Sequence, residues 1–568
     1  MKSSTHPTWF GPQDQPLFGV AHLPVGHARG AVILCPPLGK EHINTYRGVK
    51  MLAQELADRG FVALRFDYYG VGDSSGSQNA DDIVERWLDS IDEAVSWVRG
   101  IGVTEVALVG LRAGSLLAER AAARAASLAA VVLWDPIATG RMYVREQQAF
   151  YALGVGGENE LAPEDEVPMI GLSLTKPAAA AFSALAMSVD ADSVRHWMFV
   201  NREGEYNKRI AGLIQKSGAT VTTAEGMDEF VTPESFLVAI PEAAIDTITT
   251  WLDEVMPTET SPITPSFETR TVITGAESGV AVVETIESLG PQGVFAIRTS
   301  PASPAEPSGK TLLLCATAND TRIGPSRIWV ELARETAELG AESLRFDRRG
   351  TGESDDVVRS EHTPIYSDES MDDVDVATRA VASDPKDFIA AGICSGSWYA
   401  AYAARELGAG SVVLINAVAW SWRRKRSAQG KIVPADMGVP RTDPEWQRTP
   451  RARVKAALQR HLPYWAWKLL GVRGITQVPE VILGSLAKQG IDQTVVLAPA
   501  DLQWFVDQRG NEGLERMNYL PSTPQLITPP VGDHSGYHRA VRDAVSEHVL
   551  GTLLGGTTSR GVDARSRS

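Results

Sequence analysis

Cysteine is scarce in this chain: Cys35, Cys315 and Cys394 are the only three in 568 residues. So few exclude a disulfide framework and favour a reducing compartment. No run of about 18 apolar residues occurs, and the opening residues Met1 to Pro7 lead into no apolar core of signal-peptide length. A cytoplasmic location is the expectation. Positive charge is also in deficit, with 54 Lys and Arg against 70 Asp and Glu for a net charge of −16. That balance argues against nucleic-acid binding by the surface as a whole, and nothing in the sequence calls for a cofactor or a metal. Apolar residues are not lacking. At 43% of the chain they suffice for the packed cores of several domains.

Short apolar runs alternate with helical stretches. Residues 9 to 23 read as two strands around a turn, and Ala31-Val32-Ile33-Leu34-Cys35 as a buried strand ending at Pro36-Pro37-Leu38-Gly39. A helix from about Tyr46 to Arg59 leads to the strand Phe61 to Asp67, and a long helix from about Ile83 to Arg99 leads to Val106 to Val109. The strand Val131 to Trp134 closes the series. The alternation predicts an α/β fold with a mostly parallel sheet covered on both faces.

The same series occurs twice, about 280 residues apart. Leu64-Arg65-Phe66-Asp67-Tyr68-Tyr69-Gly70-Val71-Gly72-Asp73-Ser74 returns as Leu344-Arg345-Phe346-Asp347-Arg348-Arg349-Gly350-Thr351-Gly352-Glu353-Ser354. The strand ending at Cys35 returns ending at Cys315, Gly110-Leu111-Arg112-Ala113-Gly114 returns as Gly392-Ile393-Cys394-Ser395-Gly396, and Val131 to Trp134 returns as Val412 to Ile415. A repeat this long is a duplicated domain. The expected division is 1–256, a Pro- and Thr-rich linker at 257–266, a second domain at 267–554, and a disordered tail at 555–568.

In each copy a segment without regular strands separates the sixth strand from the last two, roughly 138–194 and 417–490. Insertions at that place form lids. The second is basic: between Ala417 and Gly474 stand thirteen Lys or Arg, among them Arg423, Arg424 and Arg426, against three acids. Trp420, Trp422, Trp446, Trp465 and Trp467 are interleaved with them. An anionic substrate, an acidic carrier, an anionic membrane surface or the acidic stretch Glu158 to Glu166 of the first lid would each suit that charge; a solvated basic face over an aromatic lid core is the plain alternative.

Gly392-Ile393-Cys394-Ser395-Gly396 has the spacing of a nucleophile elbow, Gly-x-Ser-x-Gly, with cysteine in the central place. Small residues two before and two after permit a sharp strand-to-helix turn that lifts Cys394 above the sheet edge. A helix N-terminus there favours the thiolate, and the Ser395 N–H can face a developing oxyanion. The second oxyanion donor is expected in Ala316 to Asp320, and Ala316 is the choice. A base and an orienting carboxylate follow in chain order, His534 in Gly532-Asp533-His534-Ser535-Gly536 and Asp501 after the strand Gln493 to Ala498. His538, Asp507 and Ser395 are rivals for base, orienter and nucleophile respectively.

In the first copy the lifted residue is Arg112, which is always protonated and cannot attack a carbonyl. The place of the histidine reads Gly226-Met227-Asp228, and that of the acid lies near Arg202 to Glu205. The first domain is therefore expected to be catalytically inactive. Arg112 either binds an anionic ligand group or is neutralised internally by Asp135 or Asp67.

With these residues in view, both halves resemble α/β-hydrolases of the serine-aminopeptidase-like kind over nearly the whole chain. More narrowly, Pro36-Pro37-Leu38-Gly39-Lys40-Glu41, Gly110 to Gly114 and Trp134-Asp135-Pro136 make the first half similar to one of two hydrolase-like families associated with exosortase and exopolysaccharide gene clusters. Asn319, Arg322 to Arg327 and the Cys394 elbow make the second half similar to the other. A cysteine nucleophile also resembles that of dienelactone hydrolases, but the large basic lid does not fit that small enzyme type. The resemblance implies two tandem α/β-hydrolase domains. The expected activity is hydrolysis of a small-molecule or carrier-bound ester or thioester, in polysaccharide or acyl-group metabolism, with acyl transfer from the same acyl-cysteine as the alternative. A non-catalytic binding or scaffold protein with two pseudo-hydrolase clefts is the rival of another class.

Overall fold

The computed structural model describes residues 3–155, 165–189, 192–204, 208–233, 238–275, 278–303, 309–354, 365–381, 384–423 and 461–555. Arg424, Arg426, Trp446, most of Glu158 to Glu166 and nearly all of the C-terminal tail lie outside these residues.

Two large sheets carry the architecture. In spatial order the first is Ser4–Phe10, Leu17–Leu23, Phe61–Phe66, Gly30–Cys35, Val106–Leu111, Leu128–Trp134, Val194–Arg202 and Thr220–Ala224. Leu17–Leu23 runs antiparallel to both of its neighbours, and from Phe61–Phe66 onward all strands are parallel. The second is Arg270–Thr274, Ala281–Leu289, Val294–Pro301, Glu342–Phe346, Thr311–Cys315, Phe388–Ile393, Ser411–Ile415, Asp492–Val496 and Gln525–Ile527. Leaving aside its extra first strand, the order repeats that of the first sheet. The central strands Gly30–Cys35, Val106–Leu111 and Phe388–Ile393 are buried at every residue, as strands covered by helices on both faces must be.

The elements form where the apolar spacing places them, and the differences are local. The helix expected from Tyr46 begins at Lys40, and the closing helix runs Arg539–Leu553. The first lid does contain strands. A small hairpin, Glu166–Met169 with Leu172–Thr175, turns at Gly171, whose φ of 77° suits glycine. Its tip is tied down by Lys40 N–H donating to the Ile170 carbonyl at 2.9 Å. Four-residue strands of mixed burial carry too little alternation to be seen in sequence.

By packing, the chain divides into two compact units that do not follow the linker. One comprises 1–303, 318–330 and 346–364, and the other 304–317, 331–345 and 365–568. Segment 257–266 is held along its length: Arg29 donates to the Pro257 carbonyl, Ala28 and Ser261 exchange backbone hydrogen bonds, and Thr264 N–H donates to Ile101.

Within the first unit, residues from both copies share a buried ionic cluster. The Arg65 guanidinium meets the Glu353 carboxylate through two bonds of 2.8 Å, and the Tyr46 hydroxyl donates to the same carboxylate at 2.5 Å. Burial opposes the charge on Glu353, but Arg65 and Lys50 outweigh it and hold the carboxyl well below the usual range. A depressed acid stabilises the fold above its unfolded pKa, and that contribution is lost as pH falls through the folded value. Glu353→Gln should therefore cost about 3 kcal/mol at neutral pH, where Arg65 is left unpaired, and the deficit should shrink below about pH 4. Urea unfolding of both proteins across that range checks it.

Candidate active site

The strand Phe388–Ile393 passes into the helix Ser395–Leu407 through Cys394, which has φ 54° and ψ −117°. A non-glycine residue there is strained and persists only where its surroundings over-determine it. Here they do. Cys394 N–H donates to the Ile415 carbonyl at 2.9 Å, and the Ser397 hydroxyl donates to the carbonyls of Gly392 and Ile415 at 2.7 Å each. A Cβ on Gly392 would collide with the Gly396 carbonyl, and one on Gly396 with the Cys315 carbonyl. The two glycines of the motif are thus required by close backbone approach.

The structure brings Cys394, His534 and Asp501 together. His534 Nδ1 is 2.6 Å from Asp501 Oδ1, and the Asp501 side chain is buried while 30% of the His534 side chain remains open. Asp501 stands in the first turn of the helix Pro499–Asp507 and not on a loop. Its rival Asp507 is exposed and accepts from Gln503 at 2.8 Å. His538 caps the closing helix, its Nδ1 accepting from Ala540 N–H at 3.1 Å. Ser395 points its hydroxyl at Thr317 Oγ1, 3.1 Å away.

Thiol and imidazole perturb each other. Burial pushes the Cys394 thiol up, but the charge of His534, with hydrogen bonds from His534, the Thr317 hydroxyl and Ser395 N–H, outweighs it and lowers the pKa. Burial pushes His534 down, but the Cys394 thiolate and the Asp501 carboxylate raise it well above the ordinary value. Both shifts favour a thiolate beside an imidazolium over the neutral pair.

Sequence reasoning missed three residues. Asn416, at φ 46°, donates to the carbonyls of Asp533 and His534 at 3.0 and 2.8 Å and accepts from Ala498 N–H at 2.8 Å, so it ties the histidine loop to the end of the neighbouring strand. Asp533 accepts from Ser535 and His538 N–H and shapes the same loop. Thr317 touches both Ser395 and the thiol. The repeat offered one signal for Asn416, its position matching Asp135 in the first copy. Ala316, buried, follows directly on the strand Thr311–Cys315 beside Gly396.

The first copy has the same elbow without the chemistry. Arg112 has φ 53° and ψ −119°, and its N–H donates to the Trp134 carbonyl at 3.0 Å. Its guanidinium is engaged from within: Nη2 donates to Glu41 at 3.0 Å and Glu146 at 2.7 Å, and Nε lies 3.8 Å from Asp135. Glu41 is in turn held by Tyr143 and Gln147. The neutralising partners thus include Asp135, with Glu41 and Glu146 in the place considered for Asp67. Asp135 also pairs with Arg202, which reaches Asp228, so an ion pair occupies the places of acid and histidine. Pro37, two residues beyond the strand as Thr317 is, has no N–H to offer.

Of the lid residues, Arg423 is exposed. Trp420 and Trp467 are fully buried, Trp467 packing with Tyr464 and Val478, whereas Trp465 is 70% exposed. Among the described residues no cluster of three or more His, Cys, Asp or Glu is arranged to hold a metal ion, and no helix is long and apolar enough to cross a membrane.

The described residues thus form two mixed α/β sheets of matching strand order, each with a strained strand-to-helix elbow after its central strand. No protein-family model matches the chain and no curated protein matches it, so the narrower resemblance rests on its short motifs. Among solved structures the chain is similar to Est1E from Butyrivibrio proteoclasticus, at 17% identity and TM-score 0.33 over 44% of this chain and 96% of that one. It is also similar to a dienelactone hydrolase from Anabaena variabilis, at 13% and 0.30 over 48% and 96%, and to an esterase from Pyrococcus furiosus, at 15% and 0.31 over 45% and 91%. Likenesses at these scores carry no argument, and the fold stands on its own topology.

The thiol gives a direct check. Iodoacetamide should alkylate Cys394 with a pH midpoint below the ordinary 9.0. His534→Gln removes the charge that opposes burial, so the midpoint should rise to or above that value. An identical profile in the two proteins would contradict the pairing.

Proposed function

We propose that the second half hydrolyses an ester or thioester through Cys394, His534 and Asp501. The observation that carries this reading is the carboxylate–imidazole–thiol set, with its cysteine on a strained elbow. The Cys394 thiolate attacks the acyl carbon; a C–S bond forms and the carbonyl electron pair moves to oxygen, facing Ser395 N–H and a donor at Ala316. Collapse breaks the bond to the leaving alcohol or thiol, which takes the proton of the His534 imidazolium. His534 then accepts a proton from water, which attacks the acyl-cysteine, releases the carboxylic acid and restores the thiolate. An alcohol in place of that water makes the same intermediate an acyl donor, so transfer is the second outcome of one mechanism.

The basic lid favours an anionic substrate: an acyl group on an acidic carrier, or an acylated anionic saccharide in the polysaccharide context that the short motifs imply. An anionic membrane surface as the source of substrate is the remaining partner for Arg423, Arg424 and Arg426. A cytoplasmic setting suits a chain of only three cysteines, Cys35, Cys315 and Cys394, each buried. The first half, with Arg112 neutralised and no triad, serves as a non-catalytic domain.

Turnover of a panel of short and long acyl thioesters and nitrophenyl esters tests the reading. Cys394→Ala should lower kcat/KM by about 10³-fold or more, and Asp501→Asn should cost less but shift the pH profile. Undiminished turnover in Cys394→Ala would refute it and move the assignment to a binding protein.

A further inference from the structure

The helix Tyr464–Val472 buries one face and leaves the other bare. Tyr464, Trp467 and Gly471 are its buried residues, and Tyr464 and Trp467 join Val478 in a small core. On the opposite face Trp465, Leu469 and Val472 follow one another at spacings of four and three, so they line up as one ridge. Trp465 is 70% exposed, Leu469 43% and Val472 49%, and Ile475, just past the helix end, is 61% exposed. Ile475 is fixed there, its N–H donating to the Leu470 carbonyl at 2.9 Å. Among the described residues no other stretch of this length exposes as many large apolar side chains. Basic residues border the ridge. Arg473 and Arg423 are exposed, and a Cβ on Gly474 would lie 2.7 Å from the Arg423 Cβ, which puts Arg423 against the turn between Arg473 and Ile475. Lys468 stands on the same helix, paired with Glu480. Between Glu445 and Glu480 the sequence holds no acid, in a chain that has 70 of them.

We propose that this ridge is a docking surface for an anionic phospholipid bilayer, on which Trp465, Leu469, Val472 and Ile475 turn toward the acyl chains. A helix of nine residues is too short to span a bilayer, so it lies in the headgroup region. Tryptophan is at home at that depth, the aliphatic side chains reach the acyl boundary, and Arg473 and Arg423 meet the lipid phosphates. Neither signal is enough alone. A few apolar side chains bind a membrane weakly and a few cations are screened by salt, whereas the two together hold. The charge decides the occupant. A second copy would bring its own Arg473 and Arg423 against these, and an acidic protein would answer the charge but not the ridge. A bilayer with anionic headgroups answers both at once. The inference selects one of the partners considered for the basic lid and makes no use of Cys394, His534 or Asp501.

Flotation of the full chain with vesicles tests it. The wild type should float with phosphatidylcholine vesicles containing about one-third phosphatidylserine and stay behind with phosphatidylcholine alone, and raising the salt from about 0.05 to about 0.5 M should release it. Trp465→Ser combined with Leu469→Ser changes only exposed side chains. That protein should keep the wild-type circular dichroism and its turnover of a soluble nitrophenyl ester, yet bind the anionic vesicles about tenfold or more weakly. Arg473→Gln should weaken binding about fivefold at low salt and less at high salt. Flotation unchanged by the double substitution overturns the inference, as does equal binding to both kinds of vesicle or binding to neither. A wild type that self-associates, becomes monomeric on the double substitution and ignores lipid overturns it in favour of a second copy. The comparison of the two kinds of vesicle uses the wild-type protein alone, so a variant that misfolds leaves a decisive test in place. Cys394→Ala should float as the wild type does, so failure of the ester chemistry and failure of membrane docking are read separately.

Discussion

The backbone at Cys394 is left-handed where a side-chain-bearing residue pays roughly 1–2 kcal/mol to be so. That strain is what puts a thiol at a helix N-terminus, above a sheet edge and facing an imidazole. The surroundings hold it by several independent means: Gly392 and Gly396 pressed against backbone carbonyls, Ser397 bonded to both flanking strands, and the Cys394 N–H committed to Ile415. Remove the elbow and Asp501 and His534 have nothing to act on.

The first copy shows that the strain is a property of the fold and not of the chemistry. Arg112 occupies nearly the same φ and ψ, yet its guanidinium is drawn down onto Glu41, Glu146 and Asp135. The divergence extends to the supporting residues. Asn416 offers two amide hydrogens to the carbonyls of the histidine loop; its counterpart Asp135 has none to offer and takes Arg202 instead. Thr317 offers a hydroxyl toward the thiol, while Pro37 offers neither hydroxyl nor N–H. In place of a triad this copy holds Arg112 among Glu41, Glu146 and Asp135.

Much of this was legible in the sequence because the relevant signals are local. Gly-x-Cys-x-Gly after an apolar run specifies the elbow, and the returning Arg-Phe-Asp and Cys-terminated strands specify the duplication. The order Cys394, Asp501, His534 named the residues that the structure brings together. What was not legible depends on pairing across the chain. The choice between Asp501 and Asp507 turned on a helix start at Pro499, the neutralisation of Arg112 on Glu41 from a distant helix, and the loop-holding role of Asn416 on carbonyls more than a hundred residues away. The hairpin of the first lid is too short to announce itself. Two of the lid's tryptophans, Trp420 and Trp467, proved to be core. The linker-like composition of 257–266 describes an exposed segment but gave no hint of its hydrogen bonds to Ala28, Arg29 and Ile101.

The central claim is that an acyl group passes through the Cys394 sulfur. Intact-protein and peptide mass after brief exposure of the His534→Gln protein to an acyl thioester tests it most directly, because loss of the base slows deacylation more than it slows attack by a residual thiolate. The account predicts an adduct with the mass of the acyl group, located on the peptide bearing Cys394 and absent from Cys394→Ala. An adduct on another residue, or none in a protein whose wild type turns the substrate over, would contradict it.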